Sequence, residues 1–131
     1  MSSRADVGAE MPIGERFVRA IAARDRRGLL DLLAPHIDFR AMTPGRFWEA
    51  SSAAEVVDEV ILGHWFAPTD RIEAIESIEH DVVVDRERVG YRFRVSNADG
   101  EYAVEQQAYL GAQNDVIGWL RIMCAGYQSV G

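Results

Sequence analysis

The chain contains no lysine: all 14 of its basic residues are arginine. Chemistry that needs a lysine amine, a Schiff base above all, is therefore excluded. An all-arginine basic set is also the codon signature expected of a GC-rich bacterial genome. Cysteine occurs once, as Cys124, which rules out an intrachain disulfide and points to a reducing cytoplasm. No apolar run approaches a membrane span, and the opening residues MSSRADVGAEM lack the apolar centre of a signal peptide. An excess of positive charge is missing too. The formal net charge of -7 argues against nucleic acid or an anionic membrane surface as partner. What remains is a soluble, cytoplasmic protein whose partners are small molecules or other proteins.

The 131 residues suit one domain with a sizeable core, spanning 12–131 behind a polar, frayed segment 1–11. Pro12 fits the first turn of a helix whose apolar stripe is Ile13, Phe17, Ala20 and Ile21, with Arg16, Arg19 and Arg26 off it. Gly28 interrupts, and Leu29, Leu30, Leu32 and Leu33 make a second short helix that Pro35 ends. Strand character follows in 37–42, then a Thr43-Pro44-Gly45 turn and a short return through Phe47 and Trp48. Ser52-Ala53-Ala54-Glu55 is a capping box opening a third helix, lined by Val57, Val60, Ile61, His64 and Trp65 and closed by Pro68.

Beyond it the chain alternates with period two. Residues 71–84 form one long strand or two joined by a bulge, 85–88 a charged turn, and 89–96 a return strand. Glu101 to Cys124 then reads as two long antiparallel strands broken at Asn114-Asp115. A three-residue loop at Ala98-Asp99-Gly100 pairs Phe93 with Glu105 and Tyr91 with Gln107, and the charged turn at 85–88 places His80 beside Phe93 and Val82 beside Tyr91. One face then collects Ile78, His80, Val82, Tyr91, Phe93 and Glu105, followed by Gln107, Tyr109, Leu120, Ile122 and Cys124. The other collects Arg92, Arg94, Val104, Gln106, Ala108 and Leu110 with Trp119, Arg121 and Met123. Helices first and an antiparallel meander afterwards give an α+β fold with the helices on one face of a curved sheet.

The order and spacing of Arg16-Phe17-Val18, Asp25, Leu29 to Leu33, Phe39-Arg40-Ala41-Met42, Tyr91 to Val95, Glu105-Gln106-Gln107 and Ile117 to Cys124 resemble the nuclear-transport-factor-two-like superfamily. That group includes SnoaL-like polyketide cyclases, ketosteroid isomerases and limonene epoxide hydrolases. The resemblance implies a cone-shaped, curved antiparallel sheet with three N-terminal helices packed on its concave face, often dimeric through the outer face. The acid-base positions of the isomerases fall at Phe17, Ala41 and Gln107, and those of the hydrolases at Tyr91, Phe93 and Ile122. None of these residues is the tyrosine, carboxylate or arginine that the family places there, so the resemblance carries the fold without the reaction.

The expectation is therefore a SnoaL-like domain that binds a mostly apolar small molecule in the cone. Its expected walls are Phe17, Trp48, Ile61, His64, Trp65 and Tyr91 together with Phe93, Gln107, Tyr109, Leu120, Ile122 and Cys124. An alternative is a cyclase-, isomerase- or dehydratase-type enzyme with His80 or Glu105 as general base. A third reading is a non-catalytic dimeric interaction module. Three scattered histidines and one thiol make neither a metal site nor a cofactor site expected. Arg92, Arg94, Gln106, Trp119 and Arg121 are the expected homodimer surface.

Overall fold

The computed structural model describes residues 11–130. The frayed segment expected at 1–11 lies outside the described residues except for Met11. Three helices precede most of a six-stranded sheet: α1 (Ile13–Ala22), α2 (Arg26–Leu32), β1 (Leu33–Thr43), β2 (Arg46–Ser52), α3 (Glu55–Trp65), β3 (Arg71–Val83), β4 (Arg86–Asn97), β5 (Gly100–Gln113) and β6 (Val116–Ser129). The strand order is β2-β1-β6-β5-β4-β3. Neighbours are antiparallel except β1 and β6, which run parallel because α2 feeds β1 into the sheet from the other end.

The helix α1 buries Ile13, Phe17 and Ile21 of the expected stripe and Val18 besides, while Ala20 is half-buried. It ends with Arg24 in the left-handed region (φ 53°). There Arg24 N–H reaches Ile21 O at 2.9 Å and Asp25 N–H reaches Ala20 O at 2.9 Å, a Schellman closure made without glycine. Asp25 then caps α2, accepting from Gly28 N–H at 2.9 Å. Gly28 sits inside that first turn and interrupts nothing. A Cβ there would lie 2.3 Å from the capping carboxylate, so the glycine makes room for the cap. Pro35 ends no helix: it lies in β1, in the irregular stretch between the paired positions Leu33 and Asp38, where no ladder donor is required.

Four hairpin turns set the registers. Pro44-Gly45, with Gly45 at φ 76°, joins β1 to β2. Asn114-Asp115, both with positive φ, join β5 to β6 as the sequence predicts. The β4–β5 turn has two residues, not three. Asn97 pairs with Gly100, and the Asn97 side-chain oxygen accepts the Asp99 N–H at 2.8 Å, closing an Asx turn over Ala98-Asp99. This one-residue difference pairs Tyr91 with Gln106 and Phe93 with Val104. It exchanges the faces of the whole strand.

On β5, Val104, Gln106, Ala108 and Leu110 therefore face the helices and are buried, while Glu105, Gln107 and Tyr109 face outwards. On β6 a bulge at Gly118 restores the inward aim of Leu120, Ile122 and Cys124, which sit opposite Leu110, Ala108 and Gln106. The β3–β4 connection is also tighter than the charged turn at 85–88, because Val83 pairs directly with Arg86. His80 consequently lies opposite Val89, and Ile78, not Val82, lies opposite Tyr91.

Strand β3 contains two bulges, one at Glu73 and one at Glu76. They bring Ile72, Ile75 and Ile78, spaced by three, onto the core. Each bulge also bends and twists the strand, which gives the sheet its curl. Phe17, Phe39, Phe66, Tyr91 and Phe93, each at most 1% exposed, fill the concavity. Each such ring contributes roughly 1.5–3 kcal/mol of burial, so the middle of the cone is a packed core.

Candidate functional site

The concave face is left unfilled at one end, where the C-terminus of α3 approaches β5 and β6. The recess has a volume of about 170 Å³ and is lined by Thr43, His64, Trp65, Phe66, Val104, Gln106, Cys124, Gly126 and Tyr127. Larger surface depressions lie elsewhere, of about 540 Å³ at the β5–β6 hairpin and about 720 Å³ beside β1 and β2. Their walls are mostly exposed and polar, and no buried polar group converges in them.

The third helix is placed by its capping box. Ser52 Oγ accepts the Glu55 N–H at 3.1 Å, and Glu55 Oε1 accepts the Ser51 N–H at 3.2 Å. The helix is π-helical, and it closes with Phe66 N–H donating to Ile61 O, five residues back, at 2.8 Å. A Cβ at Gly63 would meet the Asp58 carbonyl at 2.4 Å, so the widened turn depends on that glycine. Such helices recur at functional sites because they re-aim side chains. Here the widened turn delivers His64, Trp65 and Phe66 together to the recess.

His64 Nδ1 lies 2.7 Å from the Glu59 carbonyl oxygen. A carbonyl can only accept, so Nδ1 carries a proton, and in the neutral tautomer the lone pair falls on Nε2. The ring packs edge-on to Trp48 at 5.3 Å, and Trp48 in turn meets Trp65 at 6.0 Å. His64 is exposed, which puts it at the rim.

At the floor, Gln106 is 1% exposed, the one buried polar side chain among the described residues. Its Oε1 accepts the Tyr91 hydroxyl at 2.6 Å, which fixes the amide plane. Its Nε2 has no partner, and neither has the buried Trp65 indole N–H. On the far wall Tyr127 donates its hydroxyl to the Trp65 carbonyl at 2.6 Å, with Asp70 Oδ2 at 3.1 Å. Gly126 N–H donates to Cys124 Sγ at 3.4 Å. Gly126 has φ 87°, and a Cβ there would press on Pro44 at 3.0 Å.

Burial, and then the Cys124 sulfur, push the Tyr91 phenol well above its ordinary range. Burial, and then the Asp70 carboxylate, do the same to Tyr127. Both phenols are thus neutral donors at any physiological pH. Among the described residues no group of three or more His, Cys, Asp or Glu side chains is placed to hold a metal ion. Gln106 and Trp65 line the recess, and their side-chain N–H donors are buried without a partner.

Of the residues expected to line the cavity, His64, Trp65 and Cys124 do so, with Trp48 directly behind them. Phe17, Ile61, Tyr91, Phe93 and Leu120 belong to the packed core. Ile122 is also buried, and it forms part of the floor of a groove on the opposite face of the sheet. Gln107 and Tyr109 point away from the recess, and Gln107 Oε1 instead accepts from Arg88 Nη1. His80 and Glu105 do not meet. Glu105 is exposed on the outer face, whereas His80 Nε2 bonds Glu87 Oε2 at 2.6 Å, the same oxygen that takes the Gly14 N–H of α1 at 3.1 Å.

Arg92, Arg94, Trp119 and Arg121 lie on the outer face as expected, and Gln106 does not. Gln106, expected on the outer face, thus stands at the floor of the recess. A signal was available: Val104, Ala108 and Leu110 are more apolar as a set than Glu105, Gln107 and Tyr109. That contrast favours the shorter turn.

No protein-family model matches the chain, and no curated protein matches it. Solved structures do. A candidate isomerase from Rhodopseudomonas palustris superposes with a TM-score of 0.68 at 18% identity, over 88% of this chain and 90% of that one. An LEH-like epoxide hydrolase from M. tuberculosis gives 0.62 at 11% identity, over 86% and 79%. An NTF2-like protein of unknown function from Mesorhizobium loti gives 0.59 at 21% identity, over 87% and 88%. At these identities the likeness is one of fold, and the chain has the α+β cone of nuclear-transport-factor-two-like proteins. Among the described residues no helix is long and apolar enough to cross a membrane.

Proposed function

We propose that this chain is a small-molecule-binding domain whose ligand occupies the recess between α3, β5 and β6. The observation that carries the reading is Gln106: a polar side chain held at the bottom of an otherwise apolar floor, tethered on one side and unpartnered on the other. A buried unpaired amide N–H costs about 1–3 kcal/mol, an expense a purely structural core avoids. The recess, about 170 Å³, is close in size to cavities that admit a single six-membered ring. Ligands of roughly six to ten heavy atoms are therefore the expected class. Screening fragments of that size by native mass spectrometry and thermal shift tests this, with Cys124→Leu as the comparison. Leucine fills the recess, so hits on the wild type should vanish in the variant. Hits that persist would place the ligand elsewhere.

Turnover, if the domain is an enzyme, falls to His64 ahead of His80 or Glu105. His64 is at the recess with a free Nε2, whereas the other two lie away from it. Exchange of His64 for Gln should then abolish turnover and leave ligand affinity within about twofold.

A second reading concerns the outer face of the sheet and is favoured by a different observation. A groove of about 410 Å³ crosses β2, β1, β6 and β5, and Met42, Phe47 and Met123 are 38%, 79% and 54% exposed beside it. Arg40 and Glu49 stand on the same rim, with Tyr109 and Arg121 across from them. Apolar surface bordered by both signs of charge is self-complementary under a two-fold axis, so a second copy of this chain is the proposed occupant. Met123→Glu should yield a monomer by sedimentation velocity if the wild type is a dimer. An unchanged mass would remove this face from the account.

A further inference from the structure

The third helix carries two overlapping apolar stripes, of which the fold uses one. Val57, Val60, Ile61 and His64 lie at i, i+3, i+4 and i+7, the spacing of an α-helix. The residues that α3 buries include Val56, Val60, Ile61 and Trp65, at i, i+4, i+5 and i+9. That is the spacing of a helix whose hydrogen bonds run five residues back. Val57, Ile61 and Phe66 repeat it one residue on, and all three are fully buried. His64 is where the stripes disagree: an α register turns it onto the core, and the observed register leaves it exposed.

Three contacts across the same interval hold the observed register. Phe66 N–H donates to Ile61 O at 2.8 Å, and the His64 ring reaches the Glu59 carbonyl at 2.7 Å. Gly63 gives the Asp58 carbonyl the space that a Cβ would take, 2.4 Å away. Against them stands the backbone itself, because five-residue bonding is rare beyond a single turn and α3 sustains it over 11 residues. Burying Val56 and Phe66 and keeping the imidazole out of the core offset that cost. Val57, Val60 and Ile61 belong to both stripes, so most of the packing survives in either.

We infer that α3 is a two-register helix, and that a change from five-residue to four-residue bonding reshapes the recess by turning His64 inwards and moving Trp65 and Phe66 in its wall. The recess is the seat of the binding reading above, but the two registers exist without a ligand. The α-registered form is expected as a minor state, about 0.1–10% of the population, exchanging in microseconds to milliseconds.

Scalar couplings across hydrogen bonds identify the carbonyl that each amide uses. Phe66 N should couple to the Ile61 carbonyl in the wild type and to the Leu62 carbonyl in Gly63→Ala, whose new methyl group displaces the Asp58 carbonyl. Relaxation dispersion on the wild type should show exchange at the Trp65 indole, with a minor-state shift matching that of Gly63→Ala. His64→Leu removes both the Glu59 contact and the polar group that opposes burial. It should raise the minor population about tenfold, and it repeats the test should the alanine variant fail to fold. If Phe66 keeps the Ile61 carbonyl in both variants, the inference is overturned. A wild type without exchange at Trp65 overturns it whatever the variants do, as does a wild type bonded four residues back throughout. Fragment screening of the wild type, by contrast, decides the ligand alone.

Discussion

Removing Tyr91 and Gln106 together should make the protein more stable, although removing Tyr91 alone should weaken it. Both residues are 1% exposed, and the hydroxyl reaches Oε1 at 2.6 Å. Tyr91→Phe deletes a bond worth about 0.5–1.5 kcal/mol and leaves the whole amide of Gln106 without a partner. The expected loss is about 1–3 kcal/mol. Gln106→Leu trades one orphan for another: the stranded Nε2 disappears and the Tyr91 hydroxyl becomes stranded in its place. Stability should then stay within about 1 kcal/mol of wild type. The double variant contains neither orphan and buries more apolar surface, so a gain of about 1–2 kcal/mol is expected. Urea unfolding of the four proteins at constant m-value completes the double-mutant cycle. A double variant less stable than wild type by more than about 1 kcal/mol would refute the reasoning. The pair would then be a net structural asset, and its retention would say nothing about a ligand.

Other consequences follow from single groups. Tyr91 and Tyr127 have folded-state pKa values raised above the ordinary 10.0. The unfolded chain releases these protons first, so their contribution is intact below pH 10 and is lost as pH rises beyond it; an alkaline melt of Tyr127→Phe should show a shallower decline. Asp58, beside Arg26, and Asp81, beside Arg88, have carboxyls held below the ordinary 3.8, and Arg92 and Arg94 hold Glu76 below 4.5. Stability from these pairs is present above those values and fades as pH falls through them, and because the groups are exposed the effect should shrink in 1 M salt. Asp25→Ala removes the α2 cap and should cost about 1 kcal/mol in urea unfolding, whereas Asp31→Ala, exposed on the same helix, should cost little.

How far the chain could be read without its structure depended on whether a signal was local. The capping box at Ser52-Glu55, the Pro44-Gly45 turn and the Asn114-Asp115 turn each reside in a few adjacent residues, and each forms as read; the α1 stripe does so except that Val18 is buried in place of Ala20. Register does not. A two-residue turn at Ala98-Asp99 and a bulge at Gly118 each displace pairing by one position, and neither leaves a unique local mark. The first displacement moved Gln106 from the surface to the floor of the site and sent Glu105, Gln107 and Tyr109 outwards. The site escaped notice for the same reason: its donors come from β5 and α3, 41 positions apart between Trp65 and Gln106, and only the folded chain reveals which donors lack partners. Trp65 was legible because the apolar stripe of α3 carries it, whereas His64, expected on that stripe, is exposed at the rim.

Screening the wild type and Cys124→Leu with fragments of about six to ten heavy atoms by native mass spectrometry tests the central claim most directly. Hits on the wild type that vanish from the filled variant are the predicted result. Hits that persist in the variant would contradict it.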